Sequence, residues 1–326
     1  MTQRSLTGVK ATGDLHLGRI LGSVLPAISM QNTYECFYFI ANYHSLSSIT
    51  DGELIKENTY KVAAAWLALG LDPEKAIFYR QSDIPEITEL CWLISSSISL
   101  GDLFRAHAFK SAKDENKEGA LNLCTFSYPV LMAADIMAFD ADIVPVGKDQ
   151  LQHLEMARAI ARRFNNFFGE GCLKEPKDKI QEDVAIVPGI DGQKMSASYN
   201  NIISPLASKK ELKKQVMNIV TDSKGLEDIK NPDTCNIVTL YKLLASSEEI
   251  KTIEKNYRQG NYGYGHAKIA LLEKLEEKFA PSREKYFELV NDKKTIDEIL
   301  ENGAKKARAH SRKILTRVRQ ATGFNN

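Results

Sequence analysis

The chain has 326 residues, with 43 Lys and Arg against 42 Asp and Glu and 43% hydrophobic content. That length suits one large domain plus a smaller one around a sizeable core. A formal charge of +1 excludes bulk electrostatics as a basis for nucleic-acid or membrane binding and leaves any such role to local patches. Cys36, Cys91, Cys124, Cys172 and Cys235 are scattered with no CxxC pair, which argues against a zinc or iron–sulfur site and fits a reducing cytosol. The N-terminus "MTQRSLTGVKATG" has no apolar signal region, and runs such as "CFYFIA" (36–41) are strand length, far too short to span a bilayer. A cytoplasmic protein with no membrane partner and no metal of its own is expected.

In chain order, β-rich runs predict strands at about 4–9, 36–42, 75–80, 142–146 and 184–188. Helical patterns lie between them at about 16–31, 52–69, 86–98, 127–139 and 149–167. This alternation predicts an α/β fold, a Rossmann-like parallel sheet wrapped by helices. Ligands bind such sheets beyond the carboxyl ends of the strands, so residues just after each strand are candidates. From about 206 the chain turns helical, charged and strand-poor. The expected domains are therefore 1–205, catalytic, and 206–326, all-helical.

The first candidate segment is "GVKATGDLHLGR" (8–19), a strand, a Gly- and Thr-containing turn and a helix opening near His16. That geometry suits an anion at a helix N-terminus, with Lys10 adding charge and His16 able to donate to phosphate; a satisfied capping turn is the alternative. His44 follows the second strand and is either structural or a site residue. On the helix 127–139, Tyr128, Met132, Asp135 and Ile136 share one stripe. An aspartate there needs a donor, from the protein or from a ligand. "VPVGKDQ" then places Asp149 and Gln150 after a strand, where they suit ribose hydroxyls and an amino group or, for Asp149, an N-cap. Last comes "KMSAS" (194–198), whose Lys194 can stabilise charge growing at a phosphoryl centre.

Taken in order, these segments resemble a class I aminoacyl-tRNA synthetase: "HLG" (16–18) looks like the family's HIGH motif and "KMSAS" like its KMSKS loop. "YPVLMAAD", "VPVGKDQLQH", "RRFN", "VTDSKG" and the tail "GAKKARAHSRKIL" are similar to the tryptophanyl branch more than to the tyrosyl one. The resemblance implies ATP-dependent ligation of L-tryptophan to tRNA(Trp) through a tryptophanyl-adenylate, with Mg2+ carried by ATP, no prosthetic group and a homodimeric assembly. It puts Asp135 on the indole N–H and Tyr128 and Gln150 on the amino group, walled by Leu6, His44, Met132, Ile136, Val144 and Val146. ATP falls to Lys10, Ala11, Thr12, His16, Gly18, Arg19, Gly147, Lys148, Asp149 and Val187, with Lys194, Met195, Ser196, Ala197 and Ser198 closing over pyrophosphate. His16, Lys194 and Lys10 carry catalysis in this reading. A buried acceptor for the indole N–H rejects phenylalanine by roughly 10⁴–10⁵, so no editing domain is expected.

From 303 to 326 there are seven basic residues and no acids. Lys305, Arg308, Arg312 and Arg319 fall near one helical face and are expected to contact tRNA, the alternative being a solvated face. The sequence departs from the family pattern where "KATG" stands for a "QPSG"-like turn, where Arg19 follows "HLG", where Ala197 replaces the second lysine of KMSKS, and where Leu6 replaces a common aromatic. Lys10 and Arg19 add positive charge beside the triphosphate and are expected to offset Ala197. Two other readings compete. A tyrosine-specific relative would need partners for a phenol. A paralogue that binds tryptophan and ATP without charging tRNA would act as a sensor.

Overall fold

Five short strands, β1 (Arg4–Lys10), β2 (Glu35–Ala41), β3 (Ala76–Arg80), β4 (Ile143–Val146) and β5 (Lys177–Ile180), pair in parallel in the order β3-β2-β1-β4-β5. The computed structural model describes residues 2–13, 15–106, 122–147, 150–180 and 187–324, with backbone alone at 178–180 and 198. The strand order reverses between β1 and β4, which opens a crevice at their carboxyl ends. Four strands lie where the apolar runs place them. The fifth does not: the sheet ends on "KDKI" at 177–180, not on 184–188. Residues 184–186 of the expected strand lie outside the described residues, and Pro188 forms only a single antiparallel bridge, to Lys194. A charged edge strand resists pairing with another chain, which accounts for the missing hydrophobic signal.

Side chains alternate across the sheet as the two-residue period requires. Cys36, Tyr38 and Ile40 join Val9, Ala11 and Phe78 in one core, whereas Phe37, Phe39 and Ala41 join Leu6, Tyr79, Val144 and Val146 in the other. The helix Gly52–Ala68 covers the first face; the Asp51 carboxylate caps it by accepting from the amides of Glu53 and Leu54. The helices Pro85–Ile94, Leu123–Met137 and Leu151–Phe168 cover the second. The expected helix at 16–31 is a broken run: Leu17–Arg19, a π-turn over Ile20–Val24 and a short helix Leu25–Ser29. Pro26 lacks the N–H that an unbroken helix would use, and the ladder widens just before it.

Beyond 206 the described structure is helical, in Lys209–Met217, Asn236–Lys242, Ser247–Gln259, Tyr264–Asn291 and Lys293–Ala321. Leu206, Leu212 and Leu271 share the first core with Val9 and Leu17, so packing continues across position 205. The last helix wraps the β3 edge of the sheet. Its Ile296 and Leu300 enter the first core, and Ala304, Ala307, Ile314 and Val318 enter the second. Gly303 sits at the crossing, where a Cβ would lie 1.8 Å from the carbonyl oxygen of Phe78. Among the described residues, no helix is long and apolar enough to cross a membrane.

Candidate active site

At the β1/β4 crevice a cleft of about 370 Å³ is lined by Leu6, Gly8, Phe39, His44, Tyr128, Met132, Asp135, Ile136, Val144, Val146 and Gln150, among others. The floor is β1. Gly8 is in register with Phe39 of β2, and a Cβ on Gly8 would come within 2.4 Å of the Phe39 ring. Glycine thus leaves room for the edge of that ring against the strand. Leu6 and Phe39 both line this cleft, and Leu6 is in register with Phe37 of β2.

Asp135, 1% exposed on the helix Leu123–Met137, is the most polar group in this apolar wall. Its Oδ1 accepts from Gln81 Nε2 at 2.8 Å; its Oδ2 accepts from the same amide at 2.9 Å and bonds His44 Nε2 at 2.9 Å. Among the described residues, these three bonds leave one of a carboxylate's roughly four acceptor directions, on Oδ1. Burial pushes the Asp135 carboxyl above its ordinary range, and the His44 and Gln81 contacts oppose that. Gln81 is itself fixed, because its Oε1 accepts the Tyr43 amide at 3.1 Å.

A second polar group sits opposite. The Tyr128 hydroxyl bonds His153 Nε2, and His153 Nδ1 bonds Gln150 Oε1 at 3.1 Å. His153 is buried on the helix Leu151–Phe168 and holds Tyr128 and Gln150 together.

The segment expected to meet phosphates presents several cationic side chains. Lys10 Nζ donates to Ser47 Oγ at 2.8 Å and Ser48 Oγ at 3.0 Å, and Arg19 Nη1 donates to Thr12 Oγ1 at 3.1 Å. Burial, then the Arg19 charge, lowers the pKa of Lys10. The same two causes hold His16 down to about 4, so its imidazole is neutral at pH 7. Among the described residues, none of Lys10, Arg19 and Lys194 forms an ion pair with a carboxylate. The helix amides expected to hold an anion are already engaged. Leu17 N donates to Ile203 O at 2.7 Å, Gly18 N to Met195 Sδ at 3.3 Å, and Arg19 N to His16. The side chains of Lys10, Arg19 and Lys194 are left as the positive groups of this arrangement.

The "KMSAS" segment is pinned from behind by Asn201, 2% exposed. Its Oδ1 accepts the Ser196 amide at 2.8 Å, and its Nδ2 donates to Asp191 Oδ1 at 2.8 Å and to Lys194 O at 3.1 Å. Met195 is buried against "HLG", and its amide donates to Val187 O at 3.0 Å, whereas Lys194 and Ala197 are exposed. Ala11 is fully buried, with its carbonyl accepting from Ser45 Oγ; Gly147 is exposed at the end of β4. Lys148 and Asp149 lie outside the described residues, as does the Ser198 side chain.

The tail residues do not join this site. Arg308 and Arg312 both donate to Glu86 Oε1, at 3.0 and 2.9 Å, and Arg319 donates to Glu89 at 2.5 Å. Lys305 is exposed. Three site-supporting residues escape the sequence reading: Gln81, His153 and Asn201. Gln81 had a signal, since it follows β3 directly. Asn201 had none.

Comparison with known proteins accords with this geometry. The sequence model of the family "tRNA synthetases class I (W and Y)" matches residues 2–280. The tryptophan–tRNA ligase of Fusobacterium nucleatum is 46% identical over 322 residues, covering 99% of this chain and 98% of the relative. A crystal structure of tryptophanyl-tRNA synthetase from Campylobacter jejuni complexed with ADP and tryptophan superposes with a TM-score of 0.93 at 44% identity, covering 98% of this chain and 100% of that one. The tryptophanyl-tRNA synthetase structure from Mycoplasma pneumoniae gives a TM-score of 0.81 at 29% identity, over 100% and 99% of the two chains.

Proposed function

The chain belongs to the class I tRNA synthetases of the tryptophan and tyrosine group, and from that premise we propose that it ligates L-tryptophan to tRNA(Trp) at the expense of ATP. The tryptophan carboxylate attacks the α-phosphorus, the bond to the pyrophosphate oxygen breaks, and tryptophanyl-adenylate forms. A terminal ribose hydroxyl of the tRNA then attacks the acyl carbon, and AMP leaves. The nucleophile belongs to the substrate, so the protein supplies positioning and charge stabilisation.

The observation that carries this reading is Asp135. A buried carboxylate with one free acceptor direction, in a cleft otherwise walled by Leu6, Phe39, Met132, Ile136 and Val144, matches an indole N–H on an apolar ring. Tyr128 and Gln150, coupled through His153, are assigned to the α-amino group. Lys10, Arg19 and neutral His16 are assigned to the ATP phosphates, and Lys194 closes over the leaving pyrophosphate, with Lys10 and Arg19 supplying the charge that Ala197 lacks. Lys10, Arg19 and Lys194 are cationic and His16 is a neutral imidazole, and among the described residues none of the groups assigned to the phosphates is a carboxylate; Mg2+ is assigned to the phosphate oxygens of the substrate.

Residues 206–326 are assigned to tRNA recognition in the cytoplasm, where translation occurs. A homodimer is assigned from the family resemblance; Trp92, 81% exposed, is a large apolar side chain that such an assembly could cover. Amino-acid choice is tested by pyrophosphate exchange with tryptophan, tyrosine and phenylalanine. Exchange driven by tryptophan alone is expected; exchange driven by tyrosine alone would favour the tyrosine-specific reading.

A further inference from the structure

We propose that the lysine face of the helix Lys209–Met217, formed by Lys209, Lys210, Lys213 and Lys214, is the surface on which this chain grips the sugar-phosphate backbone of tRNA; the proposal rests on the tRNA-charging function above. All four lysines are exposed, and among the described residues none has an ion-pair partner. The tail differs: Arg308, Arg312, Arg317 and Arg319 are bound by Glu86, Asp140 and Glu89. The tail's charge is largely used to dock its own helix across the sheet, whereas the charge of the lysine helix is not used within the fold.

The cluster also works against the helix that bears it. Lys209 and Lys213, like Lys210 and Lys214, stand four residues apart, where like charges repel. Lys209 and Lys210 lie in the first turn, where the helix dipole disfavours cations. Glu211 is the one acid on the helix, and it faces Gln215 at 3.5 Å. Lys214, in the last turn, complements the dipole, but the like-charge pairs and the two first-turn lysines are unpaired within the described chain, and an external polyanion would offset them. Lysines, as point charges, suit sequence-independent phosphate contacts.

The helix is held rigidly to the reactive centre. Leu212 and Val216 are fully buried beneath the lysines, and Gln215 Oε1 accepts the Ser204 amide at 2.7 Å. The preceding carbonyl, Ile203 O, accepts the Leu17 amide at 2.7 Å, inside the "HLG" turn. A tRNA backbone seated on the lysines is thereby in fixed register with the site its terminal ribose must enter.

The test replaces all four lysines with glutamine in the full chain and, separately, with arginine. Aminoacylation of tRNA at several salt concentrations and tryptophan-dependent pyrophosphate exchange are then measured. Each phosphate contact contributes roughly 0.7–0.9 to the slope of log affinity against log salt. The glutamine variant is expected to raise the KM for tRNA at least about 10-fold and flatten the slope by about 3, with exchange held within about twofold and the arginine variant close to the parent. An unchanged tRNA KM and slope would overturn the proposal, as would an equal fall in exchange. If the parent chain charges no tRNA, the underlying function fails; if parent and variant charge alike, this surface alone fails.

Discussion

Gln81 donates its side-chain amide to both carboxylate oxygens of Asp135, at 2.8 and 2.9 Å. A residue at the end of β3 thus orients an acceptor on a helix 54 positions later. Gln81→Ala removes hydrogen bonds to a buried charged group, a loss of about 1.5–3 kcal/mol. The KM for tryptophan in pyrophosphate exchange is expected to rise by roughly 10–100-fold, with the KM for ATP nearly constant. Asp135→Ala is expected to act in the same direction and to weaken discrimination against phenylalanine. An unchanged tryptophan KM in Gln81→Ala would remove Gln81 from the site.

Gly8→Ala tests the floor of the cleft. The new Cβ meets the Phe39 ring at 2.4 Å and pushes it toward the space assigned to the indole. Overpacking of this kind costs about 1–3 kcal/mol. Tryptophan binding, followed by calorimetry, is expected to weaken while ATP binding persists. Retention of full tryptophan affinity would show that the Phe39 ring does not border the bound ring.

How legible these features were in the sequence depended on range. Apolar runs placed β1 to β4 within one or two residues, because those strands are buried on both faces. β5 was misplaced because "KDKI" is an edge strand and carries no apolar signal. Gln81 sat where the strand-end rule points, yet its partner Asp135 belongs to another element. The tail arginines looked like a tRNA-facing stripe because Glu86 lies 222 residues from Arg308 and Asp140 lies 177 from Arg317. No local pattern announces such pairs. Lys10 and Arg19 were legible as departures from the family's motifs, but that neither has a carboxylate partner among the described residues required the fold.

Lys194 and Ala197 can be tested separately for the charge each position brings to the phosphates. Lys194→Ala is expected to slow adenylate formation by about 10²–10³ with tryptophan affinity nearly intact. Ala197→Lys in the parent chain is expected to change that rate little and, in a Lys10→Ala background, to restore much of the loss. Single-turnover rates check both. A large gain from Ala197→Lys alone would show that Lys10 and Arg19 do not carry the missing charge.

His16 sets a pH window. Its folded pKa is about 4 against an ordinary 6.5, so between those values the unfolded chain binds more protons. Stability therefore rises with pH across that window, and the neutral imidazole is lost as pH falls through about 4. NMR titration of the folded protein is expected to show this midpoint. A midpoint near 6.5 would contradict the burial of this imidazole and its proximity to Arg19.

Activation of tryptophan for transfer to tRNA is the activity proposed to tie these residues together. Attachment of labelled tryptophan to total tRNA by the full chain tests it without intermediary steps. Tryptophanyl-tRNA that requires ATP, and that is abolished in Lys194→Ala at matched times, is the predicted result. Adenylate formed at a normal rate with no tryptophan on tRNA would contradict it and leave a tryptophan- and ATP-binding sensor in its place.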